Sequence, residues 1–403
     1  MNLALHGDYF RAQRIVCSQR LLDTTTMDSC QHLHAGFGEQ LLALVLVDVH
    51  GDGPTTRPPS FNDAPASCGR LGHEVLKDRP SPRPAMDVIV LAGGFGTRLR
   101  PLTEGRAKPL LPVLDRTLLE RVVEVVPSEM VSRVIVAAGY GTDEMRAWAA
   151  STMLPYEVIL SVEEDALGTG GAIALAREHM TGSGPVLVLN GDLVSSVDVA
   201  ALAAHHSATG ALATLSLWEV EDPSRFGVCE LDGQGMIRRF QEKPESGTEF
   251  SNLINAGCYL VEREVLDELS VEKHSMEREV FPSIAESGGM AGLVFTGYFV
   301  DAGTPASYIE AAQVCIGAGR FSTGEVCCDS WFGDGGSIAG VTGSSIGRGV
   351  HIGASSTVEN SVVLAGAQIG AGCHISRCII GEGAILEDGV ELVDAVVGHA
   401  SRA

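Results

Sequence analysis

The chain has 403 residues, of which 45% are hydrophobic, and its formal net charge at pH 7 is −23. That length allows two or three compact domains, and no apolar run approaches the roughly 18 residues that a membrane span needs. The negative charge argues against a nucleic-acid or membrane partner, because an acidic surface is repelled by nucleic acids and by anionic lipids. We therefore expect a cytoplasmic protein that holds any anionic substrate through a local cluster of positive charge.

The first 85 residues differ in composition and hydrophobic pattern from the rest of the chain. They hold seven of the 17 prolines, end in the proline-rich stretch 78–84 and show no sustained hydrophobic period. No apolar core leads to a small-residue cleavage site, so a secretory signal is not predicted. We expect residues 1–85 to be a poorly ordered N-terminal extension. Alternatively, translation starts at Met86 and the upstream residues do not belong to the natural protein.

From Met86 onward, short β-branched runs alternate with helical patterns. Strands are predicted at 88–91, 134–136, 158–160 and 186–189, and helices near 117–126, 143–150, 172–180 and 197–206. The first of these helices places its aliphatic residues on one face, as a crossover helix on a sheet does. This alternation predicts an α/β domain over 86–315 with a doubly wound, mostly parallel sheet.

After about residue 320, small residues dominate and an aliphatic residue recurs at roughly every sixth position. The recurring positions are Ile346, Ile352, Val358, Val363, Ile369, Ile375, Ile380 and Ile385. Such a period is typical of hexapeptide β-helix repeats, in which each coil buries its aliphatic side chains and stacks on the next coil. We expect a short left-handed parallel β-helix over 316–403, with about three coils.

The strongest local signal is a glycine loop that joins a strand to a helix. The loop reads Leu91-Ala92-Gly93-Gly94-Phe95-Gly96-Thr97-Arg98-Leu99. Its glycines let backbone N–H groups approach phosphate oxygens, and a helix N-terminus favours an anion. The dinucleotide-binding fingerprint needs a third glycine where Leu99 stands, so a Rossmann dehydrogenase fits poorly.

Lysine is rare in this chain. Only four of its 28 basic residues are lysines, and two of these, Lys108 and Lys243, precede proline. A compact ammonium group suits a point contact with phosphate, and arginine serves most other basic positions here. These two lysines are therefore candidate phosphate ligands.

Residues 91 to 113 closely resemble the signature of the nucleotidyltransferases that make sugar nucleotides. After the glycine loop come Arg100-Pro101-Leu102-Thr103, Arg106, Lys108-Pro109-Leu110 and Pro112-Val113, with Ala107 as the one departure. Further motifs that resemble the family's follow in order: Glu163 with Leu167-Gly168-Thr169-Gly170-Gly171, Asn190-Gly191-Asp192, His206 with Thr214, Phe226-Gly227-Val228, Glu242-Lys243-Pro244, Asn255-Ala256-Gly257, Ser275 with Glu277, and Asp301-Ala302-Gly303-Thr304-Pro305. The resemblance covers roughly residues 86 to 312. It implies a Rossmann-like nucleotidyltransferase fold, and the repeat tail is similar to the C-terminal β-helix of many members.

The resemblance implies transfer of a nucleoside monophosphate from an NTP to a sugar-1-phosphate, with release of pyrophosphate. Two polyanions must meet in this reaction, so catalysis depends on positioning and charge neutralisation. By resemblance, Arg98 and Lys108 hold the triphosphate and Lys243 holds the acceptor's phosphate. Asp192 and Asp301 complete the catalytic set by binding Mg²⁺, a hard cation that suits carboxylates.

The resemblance also assigns each substrate its own residues. The nucleotide would contact Leu91, Ala92, Gly93, Gly94, Gly96, Thr97, Arg98, Glu163 and Gly168. The acceptor would contact Glu242, Lys243, Asn255, Gly257 and Glu277. The loop at 167–171 looks most like that of mannose-1-phosphate guanylyltransferases, so GTP is the expected nucleotide. The acceptor could be mannose-1-phosphate, a heptose phosphate or a cyclitol phosphate such as valienol 1-phosphate.

Two other functions stay open from the sequence. A catalytically silent nucleotide-sugar sensor or regulatory subunit would share the architecture, but it is expected to lack a metal or phosphate ligand, and none is missing. Acyl transfer by the β-helix, using His351 or His374, fits less well because the repeats span only about 50 residues. Packing or homo-oligomer formation is the expected role of the tail.

Overall fold

The computed structural model describes residues 85–403, so the expected N-terminal extension lies outside the described residues apart from Ala85. The strands before residue 320 are β1 (Met86–Leu91), β2 (Pro112–Val113), β3 (Arg116–Thr117), β4 (Val131–Ala138), β5 (Glu157–Val162), β6 (Val186–Asn190), β7 (Leu193–Ser195), β8 (Ala213–Glu219), β9 (Gly227–Leu231), β10 (Ile237–Glu242), β11 (Leu253–Val261), β12 (Met290–Val294) and β13 (Phe299–Asp301). The α-helices are α1 (Leu118–Val123), α2 (Thr142–Ser151), α3 (Gly168–Ala176), α4 (Val199–Thr209), α5 (Arg263–Asp267), α6 (Phe281–Glu286) and α7 (Pro305–Gly317), and a π-helix covers Met276–Val280. Among the described residues, none of the helices combines the length and the apolar character needed to cross a bilayer.

One nine-stranded mixed sheet organises residues 86–317, which we call the sheet region. Its main path is β10-β9-β11-β6-β1-β4-β5, with β8 and β12 attached beside β11. β1 lies parallel between β4 and β6, and β4 pairs parallel with β5. β11 runs antiparallel to β6, so the parallel half of the sheet ends there. The predicted α/β class with a doubly wound sheet is confirmed.

The side chains of β1 show how the sheet buries both of its faces. Ile89 packs into one cluster with Phe281 of α6, whereas Val88 and Val90 pack into another cluster with Leu119 of α1. All of these side chains are fully buried. Successive side chains of a strand point to opposite faces, so a strand covered on both sides needs an unbroken apolar run.

α3 begins earlier than the sequence predicts, at Gly168 rather than near residue 172. The first turns contain Gly168, Gly170 and Gly171, and glycine is a poor helix former. Gly168 has a φ of +71°, which turns the chain into the helix. Packing against residues 272–274 fixes the turn, and such a contact leaves no local signal in the sequence.

Residues 318–403, the repeat region, form a parallel β-helix, as predicted. Its strands are β14 (Glu325–Cys327), β15 (Ser330–Phe332), β16 (Val341–Thr342), β17 (Ser345–Ile346), β18 (His351–Ile352), β19 (Thr357–Glu359), β20 (Val362–Val363), β21 (Gln368–Ile369), β22 (His374–Ser376), β23 (Ile379–Ile380), β24 (Ile385–Leu386), β25 (Glu391–Val393) and β26 (Val396–Val397). They form three sheets, β14-β15-β17-β20-β23-β26, β16-β19-β22-β25 and β18-β21-β24. From β17 through β26, the ladder joins residues 17 apart, so each of these coils takes 17 residues. The stack of β15, β17, β20, β23 and β26 exceeds the three or so coils that the sequence predicts.

A tight corner makes each coil one residue shorter than three hexapeptides. Asn360, Arg377 and Asp394 occupy equivalent corner positions with left-handed φ values of 46°, 53° and 53°. The inward-facing aliphatic residues of one coil are therefore separated by six, six and five residues, whereas the sequence predicts a spacing of roughly six. The spacing also misassigned one inward position, because Leu386 and not Ile385 is the buried residue of β24.

Inside this corner, a column of small polar side chains links successive coils. The Ser361 N–H donates to Ser344 Oγ at 3.0 Å, and the Cys378 N–H donates to Ser361 Oγ at 2.9 Å. The Ser361 hydroxyl in turn donates to the Glu359 carbonyl at 2.7 Å. The buried backbone N–H groups of the corner are thereby satisfied.

One face of the β-helix packs against the sheet region. The side chains of Trp331, Val362 and Ile379 share one buried cluster with Tyr308 of α7. α7 connects the two regions, and the domain boundary predicted between residues 315 and 316 falls in its last turn. The apolar face of the β-helix is therefore covered by the sheet region, which gives the two regions a common core.

Candidate active site

The glycine loop leaves the carboxyl end of β1, in the middle of the parallel half of the sheet. The first cavity, of about 320 Å³, opens there and is lined by Leu91, Ala92, Gly93, Gly94, Lys108, Pro109, Ala137, Glu163, Ala166, Gly168, Thr169, Ala172, Asn190, Gly191 and Asp192. Open α/β sheets bind ligands at the carboxyl ends of their parallel strands. The fold thus brings most residues predicted to bind the nucleotide to one cavity.

The glycine loop is held from behind by the segment that follows it. Gly96 has a φ of +60°, and an added Cβ there would stand 2.9 Å from Thr103 Cγ2 and 3.0 Å from Lys108 Cβ. The Thr103 hydroxyl donates to the Gly96 carbonyl at 2.9 Å. Gly94 has open space around it, and Thr97 with Arg98 begins a short 3-10 helix. The exposed side of the loop is therefore free to approach a ligand.

Glu163 follows β5 and shapes the opposite wall of the first cavity. It is 8% exposed, and its carboxylate accepts a hydrogen bond from the Leu167 N–H at 2.9 Å. An added Cβ on Gly93 would stand 3.2 Å from Glu163 Oε1. An added Cβ on Gly168 would stand 2.5 Å from the His274 carbonyl oxygen. Glycine at 93 and 168 lets the two loops close around the cavity.

Lys108 forms an ion pair with Asp192 at the edge of the first cavity. Lys108 is 7% exposed, and its Nζ lies 2.7 Å from Asp192 Oδ2. The Gly191 N–H donates to the Leu91 carbonyl at 2.9 Å, and an added Cβ on Gly191 would stand 2.6 Å from that oxygen. Burying an ammonium group is costly without a partner, and Asp192 supplies that partner at the cavity.

Asp192 and Asp301 come from distant parts of the chain and meet through backbone pairing. β13 runs antiparallel to β7, and Asp301 stands opposite Leu193. The Ala302 N–H donates to the Asp192 carbonyl at 2.9 Å. This pairing places the two predicted metal ligands next to each other.

Asp301 is half-buried, and its buried Oδ1 has no hydrogen-bond partner. Burial raises the pKa of Asp301, and the negative charge of Asp192 raises it further. The cations Lys108, Arg98 and Arg225 oppose part of this shift. A buried carboxylate oxygen without a partner is typical of a group that acquires its partner with the ligand.

A divalent cation fits this pair of carboxylates by donor chemistry. Mg²⁺ is commonly bound by one or two protein carboxylates, with substrate phosphates and waters completing its shell. The partnerless Oδ1 of Asp301 offers one such oxygen, and Asp192 stands beside it. Within residues 85–403, no group of three or more His, Cys, Asp or Glu side chains could hold a metal ion. The two aspartates therefore suit a cation that is also held by a phosphate substrate.

A second cavity, of about 760 Å³, is lined by three predicted catalytic residues, Arg98, Lys243 and Asp301. Its remaining wall is formed by Trp218, Val220, Ser224, Arg225, Phe226, Phe299, Val300, Thr304, Ser307 and Glu310. An added Cβ on Gly303 would stand 2.5 Å from Arg98 Nη2 and 2.7 Å from Asp301 Oδ1, so glycine lets these side chains come together. Cations beside an aromatic wall suit a phosphorylated ligand with a ring-shaped body.

Lys243 follows β10 in a conformation that non-glycine residues rarely adopt. Its φ is +46°, and its N–H donates to the Phe226 carbonyl at 2.9 Å. Its Nζ lies 3.0 Å from Glu242 Oε1, and 57% of its side chain is exposed. The neighbouring strand thus fixes the backbone of Lys243 while its ammonium group stays accessible.

Glu242, Lys243 and Glu277 line a third cavity of about 380 Å³, together with Phe240, Gln241, Arg278 and Pro282. Glu277 lies in the π-helix, and its Oε2 accepts hydrogen bonds from Thr169 Oγ1 at 2.6 Å and from Ser275 Oγ at 2.7 Å. A residue predicted to bind the acceptor is therefore bonded to the loop that lines the first cavity.

Asn255 and Gly257, both predicted to bind the acceptor, line none of the cavities described above. They stand where β11 shifts register against β8. The Gly257 N–H donates to Asn255 Oδ1 at 3.0 Å, and an added Cβ on Gly257 would stand 2.5 Å from Asn190 Nδ2. The structure brings this pair to the end of β6, next to Asn190.

The sequence did not predict the contacts that Arg225, Thr103 and Thr169 make at the site. Arg225 lines the second cavity and acts on the pKa of Asp301. It directly precedes the Phe226-Gly227 motif, so a basic residue beside a family motif was the available signal. Thr103 and Thr169 stand inside recognised motifs, but their bonding partners follow only from the fold.

The chain matches two family models. The model described as nucleotidyl transferase matches residues 87–316, which is more than half of the chain. The model described as GlmU-like, C-terminal hexapeptide matches residues 318–398.

Curated relatives and a solved structure agree with these matches. Mannose-1-phosphate guanylyltransferase 1 of Arabidopsis thaliana is 34% identical over 236 residues, which cover 57% of this chain and 65% of the relative. Mannose-1-phosphate guanylyltransferase catalytic subunit beta of Xenopus tropicalis is 35% identical over 228 residues, which cover 56% of this chain and 63% of the relative. The chain thus spans less than two-thirds of the length of these relatives. The crystal structure of a candidate glucose-1-phosphate thymidylyltransferase from Bacillus anthracis, in complex with sucrose, shares the fold with a TM-score of 0.53 at 24% identity, over 60% of this chain and 98% of that one. The chain therefore belongs to the nucleotidyl transferase family and carries a hexapeptide-repeat region.

Proposed function

We propose that this protein transfers a nucleoside monophosphate from an NTP to a sugar-1-phosphate or a related phosphorylated acceptor and releases pyrophosphate. One observation carries the proposal: two cavities with cationic side chains meet at one pair of carboxylates. Lys108 and Asp192 line the first cavity, and Arg98, Lys243 and Asp301 line the second. Because β7 pairs with β13, two anionic substrates can approach one centre from separate cavities.

In the proposed reaction, an oxygen of the acceptor's phosphate attacks the α-phosphorus of the NTP. A new P–O bond forms as the bond to the bridging α–β oxygen breaks, and pyrophosphate leaves with that electron pair. The chain contributes positioning and charge neutralisation, because both reactants are anions.

The charged residues divide this work between the substrates. Lys108 binds the triphosphate in the first cavity, and Lys243 binds the acceptor's phosphate in the second. Arg98 lines the second cavity beside Asp301, so it would contact the triphosphate where the two cavities meet. Phosphate oxygens take over the contact that Lys108 makes with Asp192. Asp192 and Asp301 would hold Mg²⁺, which when bound supplies positive charge beside the phosphate oxygens.

We propose GTP as the nucleotide. The guanylyltransferase relatives and the 167–171 loop with Glu163 support this choice. For the acceptor we propose mannose-1-phosphate or another hexose, heptose or cyclitol phosphate. Trp218, Phe226 and Phe299 support a ring-shaped acceptor, because they form an aromatic wall in the second cavity.

Pyrophosphate release with Mg²⁺ tests the proposal, with four NTPs assayed against hexose, heptose and cyclitol 1-phosphates. We expect turnover with GTP and one class of acceptor. Asp192→Asn should lower kcat/KM about 100-fold or more, because it removes the charge that faces both the cation and Lys108. Asp267→Asn is the matched control, since Asp267 is an exposed residue at the end of α5. Silence of the unsubstituted protein with every substrate pair would refute the proposal and favour a nucleotide-sugar sensor.

A further inference from the structure

The loop after β26 packs against the segment that follows the glycine loop. His399 Nε2 lies 3.0 Å from the Leu102 carbonyl oxygen, and His399 Nδ1 lies 3.0 Å from the backbone nitrogen of Glu382. An added Cβ on Gly398 would stand 3.2 Å from Pro101 Cγ. The repeat region therefore contacts the nucleotidyltransferase signature directly.

These two hydrogen bonds fix the protonation state of the His399 ring. A backbone N–H can only donate, so Nδ1 is unprotonated and accepts the bond from Glu382. The ring proton is then on Nε2, which donates to the Leu102 carbonyl. A neutral histidine thus joins the last β-helix coil to the signature segment.

The charged groups around the ring also bear on this state. Arg106 Nη1 forms an ion pair with Glu382 Oε1 at 2.7 Å, and Glu144 lies near both Arg106 and His399. Burial and the positive charge of Arg106 lower the pKa of His399, while Glu382 and Glu144 oppose part of this shift. A protonated ring would lose its acceptor at Nδ1 and place a second cation beside Arg106.

Leu102 is adjacent to the residue that holds the glycine loop. The Thr103 hydroxyl donates to the Gly96 carbonyl, and an added Cβ on Gly96 would stand 3.0 Å from Lys108 Cβ. Thr103 and Lys108 are both buried, so the segment has little free space behind the loop. A shift of Leu102 is therefore transmitted to the loop, because close-packed groups move together.

We infer that His399 is a positioning residue for the nucleotide-binding loop: by fixing Leu102, it keeps Gly96 and Lys108 in place for the NTP. This inference rests on the proposed function. It gives the repeat region a part in nucleotide binding, although His399 itself does not line the first cavity.

Three full-length variants separate the two hydrogen bonds. His399→Ala removes both, His399→Gln keeps a donor in place of Nε2, and His399→Asn keeps an acceptor in place of Nδ1. We expect the NTP KM to rise about five- to tenfold in the Ala and Asn variants, with kcat and the acceptor KM changed less than about twofold. His399→Gln should stay near the unsubstituted protein. His374→Ala is the control, because His374 is an exposed β-helix histidine bonded to Thr357.

A pH series tests the protonation state. As pH falls through the lowered pKa of His399, the ring becomes a cation beside Arg106, and its new Nδ1–H faces the Glu382 N–H. This repulsion should displace the ring from Leu102, so the NTP KM of the unsubstituted protein should rise. His399→Gln cannot titrate at this position and should lack this additional rise. Titration of the substrates and of Asp301 is common to both proteins, so the ratio of their KM values isolates His399.

Amide hydrogen exchange over residues 96–106 in the unliganded proteins gives a readout that does not depend on turnover. Faster exchange in His399→Ala and His399→Asn, but not in His399→Gln or His374→Ala, supports the inference. If that pattern appears while no NTP is turned over, the proposed function fails and the positioning contact stands. Unchanged exchange over this segment, an unchanged NTP KM, or a loss confined to thermal stability would overturn the inference.

Discussion

Asp301 is the residue through which solution pH acts most directly on the candidate site. Burial and the neighbouring Asp192 raise its pKa above that of an ordinary aspartate. Only the ionised carboxylate can bind a cation, so the cation-binding form is lost as pH falls through the raised pKa of Asp301. As pH falls, kcat/KM should decline earlier than it would for an aspartate in water.

Arg225→Gln should move this acid limb to higher pH, because it removes one of the cations that oppose the rise in the pKa of Asp301. It should also raise the acceptor KM about three- to tenfold, since a hydrogen bond to a charged group contributes on the order of 1 kcal/mol or more. The measurement is kcat/KM from pH 4.5 to 8. Arg238→Gln is the control, because Arg238 is exposed and pairs with Asp232. The same acid limb in both variants would show that Arg225 does not act on Asp301.

Local sequence explains part of the site at this scale. The glycine loop and the two lysines before proline were visible in the sequence, because phosphate chemistry needs those residue types in close order. The convergence of Asp192 with Asp301 came only from family resemblance. Arg225 was missed because its role depends on which carboxylate it faces, and that depends on the pairing of β7 with β13. The assigned roles stay predictions until the variants are measured.

At the scale of elements, the start of α3 connects the first and third cavities. The Gly170 N–H donates to the His274 carbonyl at 3.1 Å, and the Thr169 hydroxyl donates to Glu277. An added Cβ on Gly170 would overlap the His274 ring, whereas one on Gly171 would overlap the Glu272 carbonyl oxygen. The helix should therefore tolerate alanine better at Gly170, which meets a side chain, than at Gly171, which meets backbone.

Gly171→Ala should lower the free energy of unfolding by about 1–3 kcal/mol and raise the NTP KM, because the Glu272 backbone cannot move aside. Gly170→Ala should cost less, since the His274 imidazole can rotate away. In a His274→Ala background, Gly170→Ala should become neutral or stabilising by about 0.5–1 kcal/mol, the helix preference of alanine over glycine. Urea denaturation of the unsubstituted protein, the three single variants and the double variant measures these differences. Equal costs for the two glycines would show that the contacts at 272–274 do not limit this helix.

In the β-helix, the sequence period predicts the repeating coil but not the tight corner within it. The aliphatic repeat predicted the element because inward side chains must recur with the coil. The tight corner stayed hidden because Gly343, Asn360, Arg377 and Asp394 share a backbone conformation rather than a side-chain type. A conformational requirement that several residue types can meet leaves no single signature.

At the scale of the whole molecule, one buried cluster of the described residues spans the sheet region and the repeat region. Trp331 is 2% exposed and packs with Tyr308 of α7, and its indole N–H donates to the Thr323 carbonyl at 3.0 Å. The overall charge of −23 is offset locally by Arg98, Arg225 and Lys243 around the second cavity. These cations counter the long-range repulsion of anionic substrates at the cavity where the acceptor is proposed to bind.

Trp331→Ala should lower the free energy of unfolding by about 3–5 kcal/mol, because it leaves a large cavity between the regions. Unfolding of the sheet region, followed by the fluorescence of Trp148 and Trp218, should shift together with the loss of hydrogen-exchange protection at the β-helix amides. Val393→Ala is the control, since Val393 is 59% exposed on β25. If the β-helix protection were lost first while tryptophan fluorescence stayed native, the two regions would not share a cooperative core.

From β17 onward each coil takes 17 residues, so the β-helix can change length without disruption only by whole coils. Removal of residues 362–378 would keep its ladders continuous, since Ile379 would take the place of Val362. Removal of a single residue would put every later corner out of phase. A β-helix shortened by one whole coil would still lose one contact, because His399 would no longer reach the Leu102 carbonyl. The number of coils between α7 and His399 therefore decides whether His399 meets the segment behind the glycine loop.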